Sequence, residues 1–107
     1  MTKSVPRPKP PLSDFHIREE TGESVGRYVL ESAGQEAELK YRVASPARRI
    51  AFHTEAPRSM RGKGVGHALV AYMVEDARNA GFRIVPTCSF VNAERQKHPE
   101  WADAFTD

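Results

Sequence analysis

Cysteine is almost missing from this sequence: Cys88 is the only one in 107 residues. No disulfide within the chain can therefore brace it, and a reducing compartment is the expected setting. No apolar run approaches the roughly 18–20 residues that a membrane span requires. The first residues carry prolines and basic side chains where a secretory leader would carry an apolar core. A cytoplasmic protein with no membrane partner is the expectation. Proline is scarce beyond residue 11, because Pro6, Pro8, Pro10 and Pro11 are half of the eight present. Residues 1–14 are accordingly expected to form a disordered, Pro-rich basic tail, and residues 15–107 one domain with one modest core. Aromatic residues make up 8% of the chain and do not interleave with the basic ones, which argues against a nucleic-acid partner.

Charge is unevenly spread. The tail holds Lys3, Arg7 and Lys9 against Asp14, a net of +2, which equals the formal charge of the whole chain. The remainder is neutral overall, yet residues 48–63 hold Arg48, Arg49, Arg58, Arg61 and Lys63 with Glu55 as their only acid. Positive charge so concentrated favours a discrete anion site over a general polyanion surface.

Turns around Gly22, Ser32-Ala33-Gly34 and Ser45-Pro46-Ala47 divide residues 15–55 into four runs of strand character. They are Phe15–Glu19, Val25–Glu31, Glu36–Ala44 and Arg49–Glu55. Period-2 alternation puts Ile50, Phe52 and Thr54 on one face of the last run, and Ala51, His53 and Glu55 on the other. Short turns favour an antiparallel four-strand meander. From Val65 to Ala80, apolar residues at Val65, Leu69, Tyr72, Met73, Ala77 and Ala80 have the spacing of a helix with one buried face, and Gly81 stands where such a helix stops. Phe82–Val85 predicts a fifth strand, parallel to the fourth because a helix joins them. Ser89–Gln96, and a segment opened by Pro99 that carries Trp101 and Phe105, predict short C-terminal helices. The fold class is mixed α/β: a four-strand meander, a β-α-β crossover, and short helices at the end.

Between strand four and its helix runs Arg58-Ser59-Met60-Arg61-Gly62-Lys63-Gly64-Val65-Gly66. Glycine lets a backbone approach a ligand closely, and a helix start offers unpaired N–H groups and about half a positive charge. Such a stretch suits a phosphate or pyrophosphate. It is not a P-loop, which needs G-x-x-x-x-G-K-[ST]. Nor is it a dinucleotide fingerprint, since the third glycine comes one residue early and His67 stands where it is required.

Arg61-Gly62-Lys63-Gly64-Val65-Gly66 resembles the [QR]-x-x-G-x-[GA] loop of the GNAT superfamily of N-acetyltransferases. Glu38-Leu39-Lys40-Tyr41, His53-Thr54-Glu55-Ala56-Pro57, Pro86-Thr87-Cys88-Ser89-Phe90-Val91 and His98-Pro99-Glu100 follow in the order of the family's short, YjdJ-like type, over about Phe15 to Trp101. The resemblance implies a GNAT-like mixed sheet and an N-acyltransferase using acyl-CoA, acetyl-CoA foremost, as cosubstrate. The acceptor would be an amine: a protein lysine, a peptide or a small amine. The pyrophosphate of coenzyme A would lie on Met60, Arg61, Gly62, Lys63, Gly64, Val65 and Gly66. Glu55 would be the general base, against the plainer reading of a solvated carboxylate paired with Arg58. His53, on the same face, would relay a proton or simply pack. Cys88 would lie near the thioester, as an acyl carrier or a pocket wall. A monomer without a resident metal is expected. Two departures from the pattern stand out. Glu94 occupies the place of a tyrosine common in the short type, which leaves the general acid open among His98, Ser89 and water. The elements that enclose the acceptor in longer members are missing, so the acceptor side is open. The alternative reading is an acyl-CoA binding or sensing module with little turnover.

Overall fold

The computed structural model describes residues 15–107; the Pro-rich segment of residues 1–14 lies outside the described residues. Strands β1 (His16–Thr21), β2 (Val25–Ser32), β3 (Gln35–Ser45) and β4 (Arg48–Glu55) pair antiparallel in succession. Helix α1 (Val65–Ala80) crosses over to β5 (Arg83–Pro86), which pairs parallel to β4, so spatial order follows chain order. Helix α2 (Ser89–Lys97) and a 3-10 segment (Pro99–Ala104) follow. The meander and the crossover are both as the turns and periodicities require. The last segment is 3-10 rather than α-helical, and Phe105 lies beyond it in a parallel bridge to Ile84 that closes the free edge of β5.

Helix α1 has the bounds that its sequence pattern sets, and Gly81 ends it by donating its N–H to the Ala77 carbonyl at 2.8 Å. Its buried face is wider than the pattern suggests. Ala68, Val70 and Val74 are buried with Val65, Leu69, Met73 and Ala77, while Tyr72 and Ala80 are exposed. The reason is tertiary: α1 packs on the sheet and also against α2 and the 3-10 segment, which bring Val91, Trp101, Ala104 and Phe105 into the same core.

The fourth strand departs from simple alternation. Lys40 pairs with His53 and Tyr41 with Ala51, so Phe52 has no partner on β3 and forms a β-bulge. Faces exchange across it. Ala51, opposite Tyr41, and Thr54, opposite Leu39, look toward the helix; Ile50, His53 and Glu55, opposite Arg42, Lys40 and Glu38, look outward. The pairing of His53 with Glu55 holds, whereas Ala51 belongs to the other face.

Among the described residues no helix covers the outward face of β1 to β3, and side-chain charge closes it instead. Arg18 meets Glu20, Glu31 and Glu36, and Arg27 meets Glu20 and Glu38, over a fully buried Val29. On the helix side a smaller polar cluster joins sheet to α1. The Tyr28 hydroxyl donates to Asp76 at 2.7 Å, and Arg49 Nη1 donates to Glu19 at 3.0 Å and to the Tyr28 oxygen at 3.2 Å. The Arg49 guanidinium lies 4.1 Å from the Phe82 ring centroid and 4.6 Å from that of Tyr41. Burial first, then the bond to Asp76, pushes the Tyr28 phenol far above its ordinary value, so it stays a proton donor at any physiological pH. Tyr28→Phe strands the Asp76 and Arg49 groups that share this hydroxyl. It is expected to lower the unfolding free energy by about 1–3 kcal/mol, read as an earlier urea midpoint at unchanged slope.

Candidate active site

Strands β4 and β5 stay together for only four residue pairs, from Arg48 with Arg83 to Ala51 with Pro86. Beyond that point the Ala51 carbonyl accepts from the N–H of Thr87 at 3.1 Å, the N–H of Cys88 at 3.0 Å and the Thr87 hydroxyl at 3.2 Å. These bonds hold the start of α2 against β4 at the bulge. From there β4 continues to Glu55 while the chain after β5 turns away into α2. The gap between them is a cavity of about 510 Å³, lined by Thr54, Glu55 and Ala56, by the glycine loop, and by Phe90 and Glu94 of α2.

The glycine loop closes one end. A 3-10 turn over Arg58–Met60 anchors it through the buried Met60. Gly62 and Gly64 then take left-handed conformations with φ of 79° and 78°, a region that costs other residues about 1–2 kcal/mol. Gly64 is the N-cap of α1. The helix has neither a side-chain cap nor an acidic residue in its first turn, so no side chain at its start competes with an anion for those N–H groups. Gly66 serves a different need. A Cβ there would lie 2.6 Å from Cζ of Phe90, whose ring lies against the first turn of α1.

Of the residues singled out from sequence, the cavity brings together Glu55, Arg61, Gly62, Gly64, Val65 and Gly66. Met60 lies buried beneath the loop, and Lys63 is exposed outside the lining. Glu55 also borders a smaller hollow of about 280 Å³ on the outward face, with Arg27, Glu36, Glu38 and Pro57. His53 stands on that outward side, its Nε2 3.2 Å from Glu55 Oε1. Cys88 does not line the cavity; its sulfur lies 3.5 Å from the hydroxyl of Thr54, which does.

Five lining residues were not singled out as binding groups: Thr54, Ala56, His67, Phe90 and Glu94. The bulge turns Thr54 inward, and no local pattern announces that bulge. Glu94 and His98 share the i, i+4 spacing of one helix face, a signal that was available in the sequence. Glu94 is buried and its Oε1 lies 2.7 Å from His67 Nδ1.

Two opposing influences act on the Cys88 thiol. Burial pushes it up, but hydrogen bonds from the Thr54 hydroxyl and from the backbone of Val91, Phe90 and Thr54 outweigh burial and hold it below its ordinary value. The rate of Cys88 alkylation by iodoacetamide is expected to reach half its plateau at a lower pH than in the unfolded chain. In Thr54→Val that midpoint is expected to move up. Intact mass reads the reaction cleanly because the chain has no other cysteine.

A sequence model of the GCN5-related N-acetyl-transferases matches residues 27–104, from within β2 to the end of the 3-10 segment. The match includes the strand divergence, the glycine loop and α2. Comparison with curated protein sequences gave no match. Among solved structures, the NMR solution structure of a GCN5-like N-acetyltransferase candidate from Staphylococcus aureus aligns with a TM-score of 0.64. Its identity is 26%, over 88% of this chain and 90% of the other. The extent of the family match and the shared fold together establish that the chain belongs to the GCN5-related N-acetyltransferase family.

Proposed function

We propose that residues 15–107 form an acyl-CoA-dependent N-acyltransferase domain, with acetyl-CoA as donor and an amine as acceptor. The observation that carries this reading is the cavity between the diverging β4 and α2, ending on a positive-φ glycine loop at an uncapped helix start. The backbone N–H groups of that first turn, with Arg61 at the rim, suit a pyrophosphate. The acyl arm would run along β4 toward Thr54, and the thioester would lie within reach of Glu55.

The reaction assigns few roles. The amine nitrogen attacks the thioester carbonyl carbon and gives a proton to Glu55. The tetrahedral intermediate collapses, the C–S bond breaks, and the thiolate leaves to take a proton from water. What supports Glu55 in this role is that it borders both the cavity and the outward hollow, where an amine would enter. His53, hydrogen-bonded to Glu55, offers that proton a way to solvent. Thr54 would form the wall beside the thioester, with Cys88 one layer behind it against the Thr54 hydroxyl.

Isothermal titration of the full chain with coenzyme A, followed by acetyl-CoA and a panel of amines, tests this. Gly64→Ala forces a side chain into the left-handed conformation and is expected to weaken coenzyme A binding about tenfold. Glu55→Gln is expected to retain that binding while kcat falls by about 10²–10⁴. No binding at millimolar coenzyme A would sink the proposal. Binding without transfer to any amine would instead favour a sensing module, a reading that Glu94 in place of a tyrosine makes concrete.

A further inference from the structure

The far wall of the cavity holds a group of side chains to which the transfer reaction assigns no role. Glu94 is the one charged side chain buried among the described residues, at 5% exposure. Two imidazoles converge on it from different elements. His67 Nδ1, from the first turn of α1, lies 2.7 Å from Glu94 Oε1, and His98 Nε2, from the end of α2, lies 3.8 Å from the same oxygen. The three donor atoms lie within 4.8 Å of one another.

The surroundings fix how the imidazoles present themselves. His98 Nδ1 lies 3.0 Å from Glu100 Oε2, so donation of Nδ1–H to that carboxylate leaves the Nε2 lone pair toward Glu94. A histidine held from behind by a carboxylate is the usual support for a metal ligand. The Trp101 ring stacks on both imidazoles, at 4.3 Å from His98 and 5.5 Å from His67, and limits their rotation. A buried carboxylate also needs a compensating cation. The nearest lysine, Lys97, has its Nζ 4.0 Å from Glu94 Oε2 and is largely exposed, so it compensates weakly.

We propose that His67, Glu94 and His98 form a binding site for a divalent transition-metal ion of the zinc class, with two imidazoles and one carboxylate as ligands. Ligand atoms about 2.0–2.1 Å from a tetrahedral zinc ion stand about 3.3 Å apart. The His67–Glu94 distance must open by roughly half an ångström, and the Glu94–His98 distance must close by about as much, changes within reach of side-chain rotation. Imidazole nitrogen selects zinc, cobalt or nickel over magnesium and calcium. His67 and Glu94 both line the cavity, so an ion held there would border it. The site departs from the expectation of a metal-free protein, and it stands independently of the acyl-CoA proposal.

A second cluster, Glu38, His53 and Glu55, also has its donor atoms within 4.8 Å of one another and provides a control. Its Glu38 is already held by Arg27 at 2.7 Å and Lys40 at 3.6 Å, so an ion there would have to displace two cations. The test is titration of the untagged full chain, stripped with EDTA and desalted, with zinc chloride. One equivalent is expected to bind with a dissociation constant of about 1 µM or tighter. Glu94→Gln and His98→Gln are each expected to weaken binding by about 10–100-fold, and His53→Gln to leave it unchanged. Long-range proton–nitrogen NMR of the wild-type chain should show zinc moving the ring signals of His67 and His98 and not those of His16 and His53, a readout that needs no variant to fold. No saturable binding would overturn the proposal, as would binding retained in Glu94→Gln or ring shifts at His53.

Discussion

Three hydrogen bonds meet at the carbonyl of Ala51, two from backbone N–H groups and one from the Thr87 hydroxyl, and the cavity depends on them. They tie the start of α2 to β4 at the point where parallel pairing stops. Without that tie, β5 could continue alongside β4 and close the gap by ordinary ladder bonds. The bulge at Phe52 acts at the same level. It removes one residue from the ladder and turns Thr54 toward the helix, so the strand beyond Ala51 presents a hydroxyl to the gap and a carboxylate to its rim. An opening in a sheet exposes backbone groups that need partners, and here side chains and helix starts take that part.

Charge is handled differently on the two faces of the sheet. The outward network of Arg18, Arg27 and their glutamates is largely solvated, so each pair adds little to stability, and its larger effect is to roof Val29. The groups between sheet and α1 have left water more fully. Tyr28, Asp76, Arg49 and Glu19 satisfy one another, with the guanidinium set against the Tyr41 and Phe82 rings. Among the described residues no buried side-chain polar atom lacks a partner. The cavity joins both regimes. It has a solvated carboxylate at the rim, Glu55, and a desolvated one at the back, Glu94. The first lies open to water, and the second is held away from it against the His67 imidazole.

Family membership and the chain's own details carry different kinds of information. Residues 27–104 place the protein among the GCN5-related N-acetyltransferases. Glu94, His67 and the ring stack with His98 and Trp101 are particulars of this chain, and they concern the wall of the cavity rather than its outline. A fold shared across a family leaves such a wall free to vary, because the outline is set by backbone pairing and the wall by individual side chains.

Much of the fold was legible in the sequence because its devices are local. Turn residues separated the four strands, the apolar spacing from Val65 and the glycine at Gly81 bounded α1, and the crossover then required β5 to lie parallel to β4. The glycine loop was legible for the same reason: Gly62 and Gly64 have positive φ, a conformation that a run of glycines advertises. Whatever depends on partners distant in sequence was not. Nothing around Phe52 announces a bulge, since that residue is extra only with respect to its neighbour β3. The width of the buried face of α1 follows from α2 and the C-terminal segment packing on its flank. The contact of Phe90 with Gly66, and the meeting of His67 with Glu94, join residues 24 and 27 positions apart. Sequence alone determined the order of the elements and the positive-φ glycine turn that leads into α1, through backbone preferences acting over a few residues. Only tertiary structure decided which side chains face the cavity, because strand parity and helix rotation are set by the elements they pack against.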